Sequence, residues 1–247
     1  MPAGPTAAVI IIGNEILSGR TQDHNLAFLG RRLGELGICL AEARVIPDNE
    51  AIIVSTVNAC RHLNDYVFTT GGIGPTHDDI TSAAMASAFG VSLERNAEAV
   101  ACLERYYGPD VLNEARLKMA DIPVGAILIS NPVSGAPGFQ VENVFVLPGV
   151  PMILEAMFEG ITDRLTGGPP ILTAGVGTDL REGALARDLG ELQQKYPDVS
   201  IGSYPYFRNG RLGVNIVMRS TDAERLTALK AEVEEMIVRL QGRFVEE

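Results

Sequence analysis

Residues Ala7 to Ile12 read Ala-Ala-Val-Ile-Ile-Ile and stop at Gly13. A strand with one wet face alternates polar and apolar side chains, and this one does not. It needs cover on both faces, which points to a central parallel strand with helices above and below it. The chain then supplies the partners. Asp23 to Leu36 places Leu26, Leu29, Leu33 and Leu36 on one helical face, with Gly37 positioned to cap the end. Ile38 to Ile46 reads as a second strand. Pro47-Asp48-Asn49 starts a helix with Ile53, Val57 and Leu63 at helical spacing. Tyr66 to Thr69 forms a third strand, Asp78-Asp79 opens the next helix, and Gly90 closes it. Strand and helix alternating in this way predict an α/β fold with a mostly parallel, doubly wound sheet.

Further helices are expected over about Ala97 to Tyr107 and Val111 to Met119, with a strand at Ile127 to Ser130. Phe139 to Val146 reads as a hairpin turning at Glu142-Asn143. Leu147-Pro148-Gly149-Val150-Pro151 then introduces a helix with Pro151 in its first turn. Thr166-Gly167-Gly168-Pro169-Pro170 marks a boundary, giving a first domain over 1–168 and a small α+β domain over 171–247. In the second domain a strand over Ile171 to Val176 and a helix over Glu182 to Lys195 precede two strands that flank Arg208-Asn209-Gly210, a hairpin signal. Thr221 and Glu224 have the spacing of a capping box for the last helix.

The net charge of −11 and the isoelectric point near 4.8 oppose a broad contact with a polyanion, so neither DNA nor RNA is an expected partner. The three cysteines, Cys39, Cys60 and Cys102, show no zinc spacing and read as buried, reduced thiols of a cytoplasmic protein. The opening Met1 to Pro5 lacks the positive region of a signal peptide, and the longest apolar run is far too short to span a membrane.

The chemistry concentrates in Thr69 to Thr81, Thr-Thr-Gly-Gly-Ile-Gly-Pro-Thr-His-Asp-Asp-Ile-Thr. This loop leaves a strand and enters a helix, where clustered amides and the helix dipole favour an anion. Gly71, Gly72 and Gly74 allow close approach of backbone to a phosphate, with Thr76 and Thr81 beside them. The same composition also fits a tight turn with Asp78 and Asp79 as helix caps. Neighbours on a helix point about 100° apart, so one aspartate would face the ligand. A carboxylate beside phosphate is repulsive unless a cation bridges them or the carboxylate acts on a proton, and either role makes a divalent ion such as Mg²⁺ a natural companion. Asp48, at another strand end, either joins that crevice or caps its own helix. Glu15, Arg20, Asp23 and Asn25 follow the first strand, and Arg20 is either a phosphate clamp or a solvated surface group. Ser134 to Gly138 and Leu147-Pro148-Gly149 add two rigid loops that expose backbone. His24, His62 and His77 share no spacing, and Tyr204-Pro205-Tyr206-Phe207 reads as a hairpin packed on its own domain rather than a stacking platform.

Thr69 to Thr81, with Val45 to Asn49 before it and Asn131 to Phe139 and Leu147 to Pro151 after it, resembles the CinA (competence/damage-inducible) family. That family is a branch of the molybdopterin-binding-like (MoaB/MogA) superfamily. The tail, with Gly202-Ser203-Tyr204-Pro205, is similar to the small KH-like domain of CinA proteins but carries no G-x-x-G clamp, so RNA binding does not come with it. The resemblance implies that Asp48 and Asp79 are the two functional aspartates, which with Asp78 would bind the metal or position a water, and that Gly71, Gly72 and Gly74 hold phosphate. Glu15, Asn25, Pro137, Gly138 and Pro148 lie on family motifs. It implies metal-dependent cleavage of the diphosphate of ADP-ribose or FAD, with Mg²⁺, Co²⁺ or Ni²⁺, or else molybdopterin binding, or nucleotide binding without turnover. It also implies a homo-oligomer, taken here as a dimer. The C-terminal amidase-type domain of full-length CinA does not occur before Glu247, so nicotinamide-mononucleotide deamidation is not expected. The loop reads Gly-Gly-Ile-Gly where MogA-like proteins have Gly-Gly-Thr-Gly.

Overall fold

The computed structural model describes residues 4–108, 111–208 and 210–245. Met1 to Ala3 and Asn209 of the expected hairpin turn lie outside them. The chain divides into two compact units, Pro5–Leu33 with Ile38–Gly167, and Gly168 onward with Gly34–Gly37.

The first unit holds a six-stranded mixed sheet. Its strands are β1 (Thr6–Ile12), β2 (Cys39–Ile46), β3 (Tyr66–Thr70), β6 (Ile127–Ile129), β7 (Gly138–Val141) and β8 (Val144–Leu147), in the order β2-β1-β3-β8-β7-β6. β1 pairs in parallel with both β2 and β3, and β3 pairs in parallel with β8. β7 then runs antiparallel to both β8 and β6. Two short strands, β4 (Leu93–Arg95) and β5 (Asp121–Pro123), make a separate ribbon that sequence pattern did not reveal.

β1 is buried along Ala7 to Ile12, as its two apolar faces demand. Ala8, Ile10 and Ile12 pack in one core with Ile53, Val57 and Cys60 of α3 (Glu50–Leu63), Ala84 and Met85 of α4 (Thr81–Phe89), and Leu103 of α5 (Ala97–Tyr107). The opposite face carries an aromatic cluster. Phe68 stacks on Phe145 at 5.1 Å, Phe158 of α7 (Pro151–Glu159) lies 5.6 Å from Phe68, and Phe28 of α2 (Asn25–Glu35) meets Phe158 edge-on at 5.7 Å. Burial of each such ring stabilises by about 1.5–3 kcal/mol, which fixes both helices to that face. β2 is one of the two edge strands and largely alternates half-buried and exposed residues.

Several boundaries follow local chemistry. Asn49 caps α3 by accepting from the Ile52 N–H at 3.2 Å, and Gly90 ends α4 with φ 66°. Glu142 turns the β7–β8 hairpin with φ 49°. Pro151 opens α7 as expected. Other expectations need correction. Leu63 is 72% exposed, because Cys60 takes the inward position one turn earlier. The stretch from Val111 forms only a short helix, α6 (Glu114–Leu117), and a single 3-10 turn over Lys118–Ala120. Cys60 is buried, but Cys39 and Cys102 are only half-buried; all three are unpaired.

The second unit is an antiparallel sheet of β9 (Leu172–Thr178), β10 (Ser200–Arg208), β11 (Arg211–Ser220) and β12 (Phe244–Val245), ordered β10-β11-β9-β12. Val214, Ile216 and Met218 of β11 form its core with Leu185 and Leu189 of α8 (Glu182–Lys195) and Leu229, Val233 and Ile237 of α9 (Ala223–Arg239). The cap of α9 is Asp222, which accepts from the N–H groups of Glu224 and Arg225, both at 3.0 Å, in place of the expected Thr221. Tyr204 and Phe207 are 53% and 70% exposed, so that hairpin is not packed away. Among the described residues no helix is long and apolar enough to cross a membrane.

Candidate functional site

The connection after β1 leaves through α2 on the aromatic face, while the connection after β3 leaves through α4 on the other. β1 and β3 are neighbours, so the carboxyl ends of these two strands form the topological switch point, where open α/β sheets bind ligands. Five segments end at this edge of the sheet: residues 13–24 after β1, 47–49 after β2, 71–80 after β3, 130–137 between β6 and β7, and 148–150 after β8.

The glycine loop is shaped by contacts of its own chain. Gly71 donates its N–H to the Leu147 carbonyl at 3.1 Å, which places it beside the end of β8. Its φ is 98°, and a Cβ there would sit 2.2 Å from the Ile12 carbonyl oxygen. Gly72 has φ 70°, and its Cβ would strike the Thr81 hydroxyl at 2.1 Å. The Gly72 carbonyl accepts from Thr81 N at 2.9 Å and the Gly71 carbonyl accepts from Thr81 Oγ1 at 3.0 Å. Thr81 is fully buried, so its hydroxyl closes the loop and does not face a ligand, contrary to the sequence expectation. At Gly74, a Cβ would lie 2.7 Å from Asp79 Oδ2. Each glycine therefore permits a fold that brings bare backbone to the switch point.

Asp78 and Asp79 do not open a helix, since α4 begins only at Thr81 and its cap position, Ile80, makes no side-chain bond. Thr76 gathers both carboxylates instead. Its N–H donates to Asp79 Oδ2 at 2.8 Å, and its hydroxyl lies within donating distance of Asp79 Oδ2, at 2.6 Å, and of Asp78 Oδ1. The Thr76 hydroxyl, followed by the Asp78 backbone N–H, holds the Asp78 carboxyl below the usual carboxylate range, with His77 and Lys118 adding to the effect. Lys118, which sequence pattern passed over, donates its ammonium to the Thr76 carbonyl.

Asp48 does not cap α3, because Asn49 does. Its Oδ2 accepts from the Asn14 N–H at 2.8 Å, tying the end of β2 to the turn after β1. That turn is α1 (Asn14–Leu17), where Glu15 folds back over Gly13: a Cβ on Gly13 would lie 2.5 Å from Glu15 Oε1. β1 separates β2 from β3, so the bases of Asp48 and of the glycine loop stand two strand spacings apart, about 10 Å. Among the described residues no three His, Cys, Asp or Glu side chains converge as a metal-holding group.

Asn25 is buried and donates Nδ2 to the Gly149 carbonyl at 2.8 Å, while its Oδ1 is buried without a partner among the described residues. Gly149 packs on Gly71, a Cβ on it standing 3.5 Å from the Gly71 Cα. Pro148 is half-buried on the way to it. Arg20 is exposed and pairs with none of the described carboxylates. Pro137 and Gly138 are buried: a Cβ on Gly138 would meet the Val146 carbonyl at 2.4 Å, so strand packing accounts for that glycine. Asn131 supports their loop, accepting from the N–H groups of Val133 and Ser134, both at 3.0 Å, and donating to Ser134 Oγ at 2.7 Å and the Ala136 carbonyl at 2.8 Å. The structure thus brings the loop glycines, Thr76, Asp78, Asp79, Asp48, Asn25, Glu15 and Gly149 to one edge. His24, His62 and the solvent-facing His77 form no cluster there.

Comparison with known proteins agrees with this architecture. Residues 8–167 match the family described as a probable molybdopterin binding domain, and residues 170–241 match the middle domain of FAD synthase. A protein from Pyrobaculum calidifontis is 37% identical over 212 residues, 81% of each chain. A probable FAD synthase from Caenorhabditis elegans is 30% identical over 263 residues, covering 96% of this chain but only 51% of that one, so the chain spans about half of that relative's length. The crystal structure of CinA from Thermoplasma acidophilum is 37% identical, covers 64% of this chain and 98% of that one, and superimposes with a TM-score of 0.61.

Proposed function

The chain belongs to the family of probable molybdopterin binding domains, and from that premise we propose that it binds a phosphorylated nucleotide or pterin at the Gly71–Thr81 loop and cleaves ADP-ribose- or FAD-like diphosphates with a divalent metal. One observation carries the reading. Thr76 holds two carboxylates side by side at the rim of a backbone-lined loop at the switch point. A loop meant only to turn has no need of that pair.

The donor set fits a hard cation. Asp78 and Asp79 supply oxygens alone, and Mg²⁺-type ions bind through one or two carboxylates while substrate phosphates and water fill the remaining positions. Such an ion, when bound, would neutralise diphosphate charge and acidify water. The chain's own groups do the rest. Amides of Gly72, Ile73 and Gly74 bind phosphate oxygens, while the Gly71 N–H is held by the Leu147 carbonyl, and Gly149 walls the loop on the β8 side. Asp48, fixed through Oδ2 by Asn14, keeps Oδ1 to orient a water and accept its proton. The match of the second unit to the FAD synthase middle domain favours a nucleotide such as FAD. The resemblance to CinA proteins supports ADP-ribose, a KH-like type for the tail and a cytoplasmic homo-oligomer.

The test is AMP release from ADP-ribose and from FAD with Mg²⁺, Co²⁺ or Ni²⁺. Asp79→Asn keeps the acceptor for Thr76 and removes the charge, so it should fold normally and lose most turnover. Equal, near-zero rates for both proteins with every metal would end the hydrolase reading. The match of residues 8–167 favours a second reading, molybdopterin binding without diphosphate cleavage. It predicts that a pterin copurifies or binds tightly, and a protein that retains none would exclude it.

A further inference from the structure

We propose that Lys118 is a phosphate-binding residue of the Gly71–Thr81 site, supplying the positive charge that lets a diphosphate approach Asp78 and Asp79. The assignment rests on the reading of that loop as a diphosphate site.

Among the described residues, Lys118 is the one cation in hydrogen-bond contact with residues 71–80, through the Thr76 carbonyl. An ammonium has three donors and this contact uses one, so two remain for ligand oxygens. Lys118 is only partly buried, which keeps its head within reach of a ligand. The two carboxylates gathered by Thr76 would repel a diphosphate, and a neighbouring ammonium offsets that repulsion whether or not a metal is bound.

Its position is built, not incidental. Lys118 begins the 3-10 turn between α6 and β5. Arg95 of β4 grips both flanks of that turn, donating Nε to Asp121 Oδ1 at 2.5 Å and reaching Glu114 Oε2 at 3.5 Å. The Asn96 N–H bonds the Ala120 carbonyl at 2.8 Å, closing the turn from the same side. β4, β5 and α6 are short elements with little apolar pattern.

The experiment is calorimetric titration of inorganic pyrophosphate and of ADP-ribose, with Mg²⁺, into wild type, Lys118→Met and Lys118→Arg, each at low and high salt. Wild type should bind both ligands and weaken with salt. Lys118→Met should bind about 10- to 100-fold more weakly, the range for losing a charged hydrogen bond, with a shallower salt dependence. Lys118→Arg keeps the charge and should stay within about 5-fold of wild type. A Lys118→Met protein that binds pyrophosphate as wild type does, with the same salt slope, overturns the assignment and leaves the loop reading standing. Equal losses in Met and Arg variants with an unchanged salt slope also overturn it, by showing that the lysine only ties down Thr76. Wild type that binds neither ligand overturns the loop reading itself.

Discussion

Replacing Gly71 by alanine tests whether the loop's geometry is set by the chain itself. At φ 98° an L-residue is strained, costing about 1–2 kcal/mol. Its Cβ would also stand 2.2 Å from the Ile12 carbonyl oxygen, and that oxygen belongs to the central strand, not to a flexible side chain. Forcing two backbones apart in a packed region adds about 1–3 kcal/mol. The sum is about 2–5 kcal/mol, which in a unit of this size lowers its melting temperature by about 4–20 °C. Gly149→Ala is the matched control. It lies on the other side of the same contact, outside the left-handed region, and its Cβ would meet the Gly71 Cα at 3.5 Å and the Gly71 N at 3.9 Å, both ordinary distances. It should change stability by no more than about 0.5 kcal/mol. The chain has no tryptophan, so scanning calorimetry is the assay of choice, and it can resolve two units that melt separately. Should Gly71→Ala melt with wild type, or Gly149→Ala fall as far, the argument from close backbone approach is wrong.

Asn131→Ala removes four hydrogen bonds from the 131–136 loop and should destabilise by about 1–3 kcal/mol in urea unfolding, with faster exchange of the Val133 and Ser134 amides. Thr76→Ala deletes the main support of Asp78, whose carboxyl should titrate closer to the ordinary carboxylate range in a carbon-13 NMR experiment. A depressed carboxylate contributes stability above its unfolded pKa and loses it as pH falls, so the variant should be less sensitive to acid on that account. Burial, ahead of the charge on Glu42, pushes the Cys60 thiol up to about 11. In the native protein near pH 8 it should resist iodoacetamide with about one molecule in a thousand ionised, and its contribution to stability should be lost as pH rises from about 9 to 11.

The sheet was legible because Ala7 to Ile12 has apolar residues at both parities and three later segments repeat a strand's length before a turn. The glycine loop was legible as a concentration of residues that only a tight approach requires. The start of α4 was misread for an identifiable reason. Thr76 and Asp79 satisfy each other three residues apart, and such side-chain-to-backbone bonds compete with helix, so the first turn is delayed to Thr81. At α9 the cap lies one residue later than the box spacing suggested, because Asp222 outranks Thr221 as an acceptor. Lys118 carried no signal. Its approach to Thr76, 42 positions away, depends on a ribbon of three-residue strands too short to show periodicity.

The Asn25–Gly149 bond joins residues 124 positions apart, and its donor is buried. Contact order at this site is therefore high: loop-closure entropy must be overcome across most of the first unit before the crevice has its second wall. A nascent chain that has passed Thr81 holds the glycine loop but has neither Gly149 nor the β8 carbonyl that Gly71 needs. Ligand affinity then reports completion of the whole unit, and any molecule that binds there raises the global unfolding free energy instead of ordering a single loop.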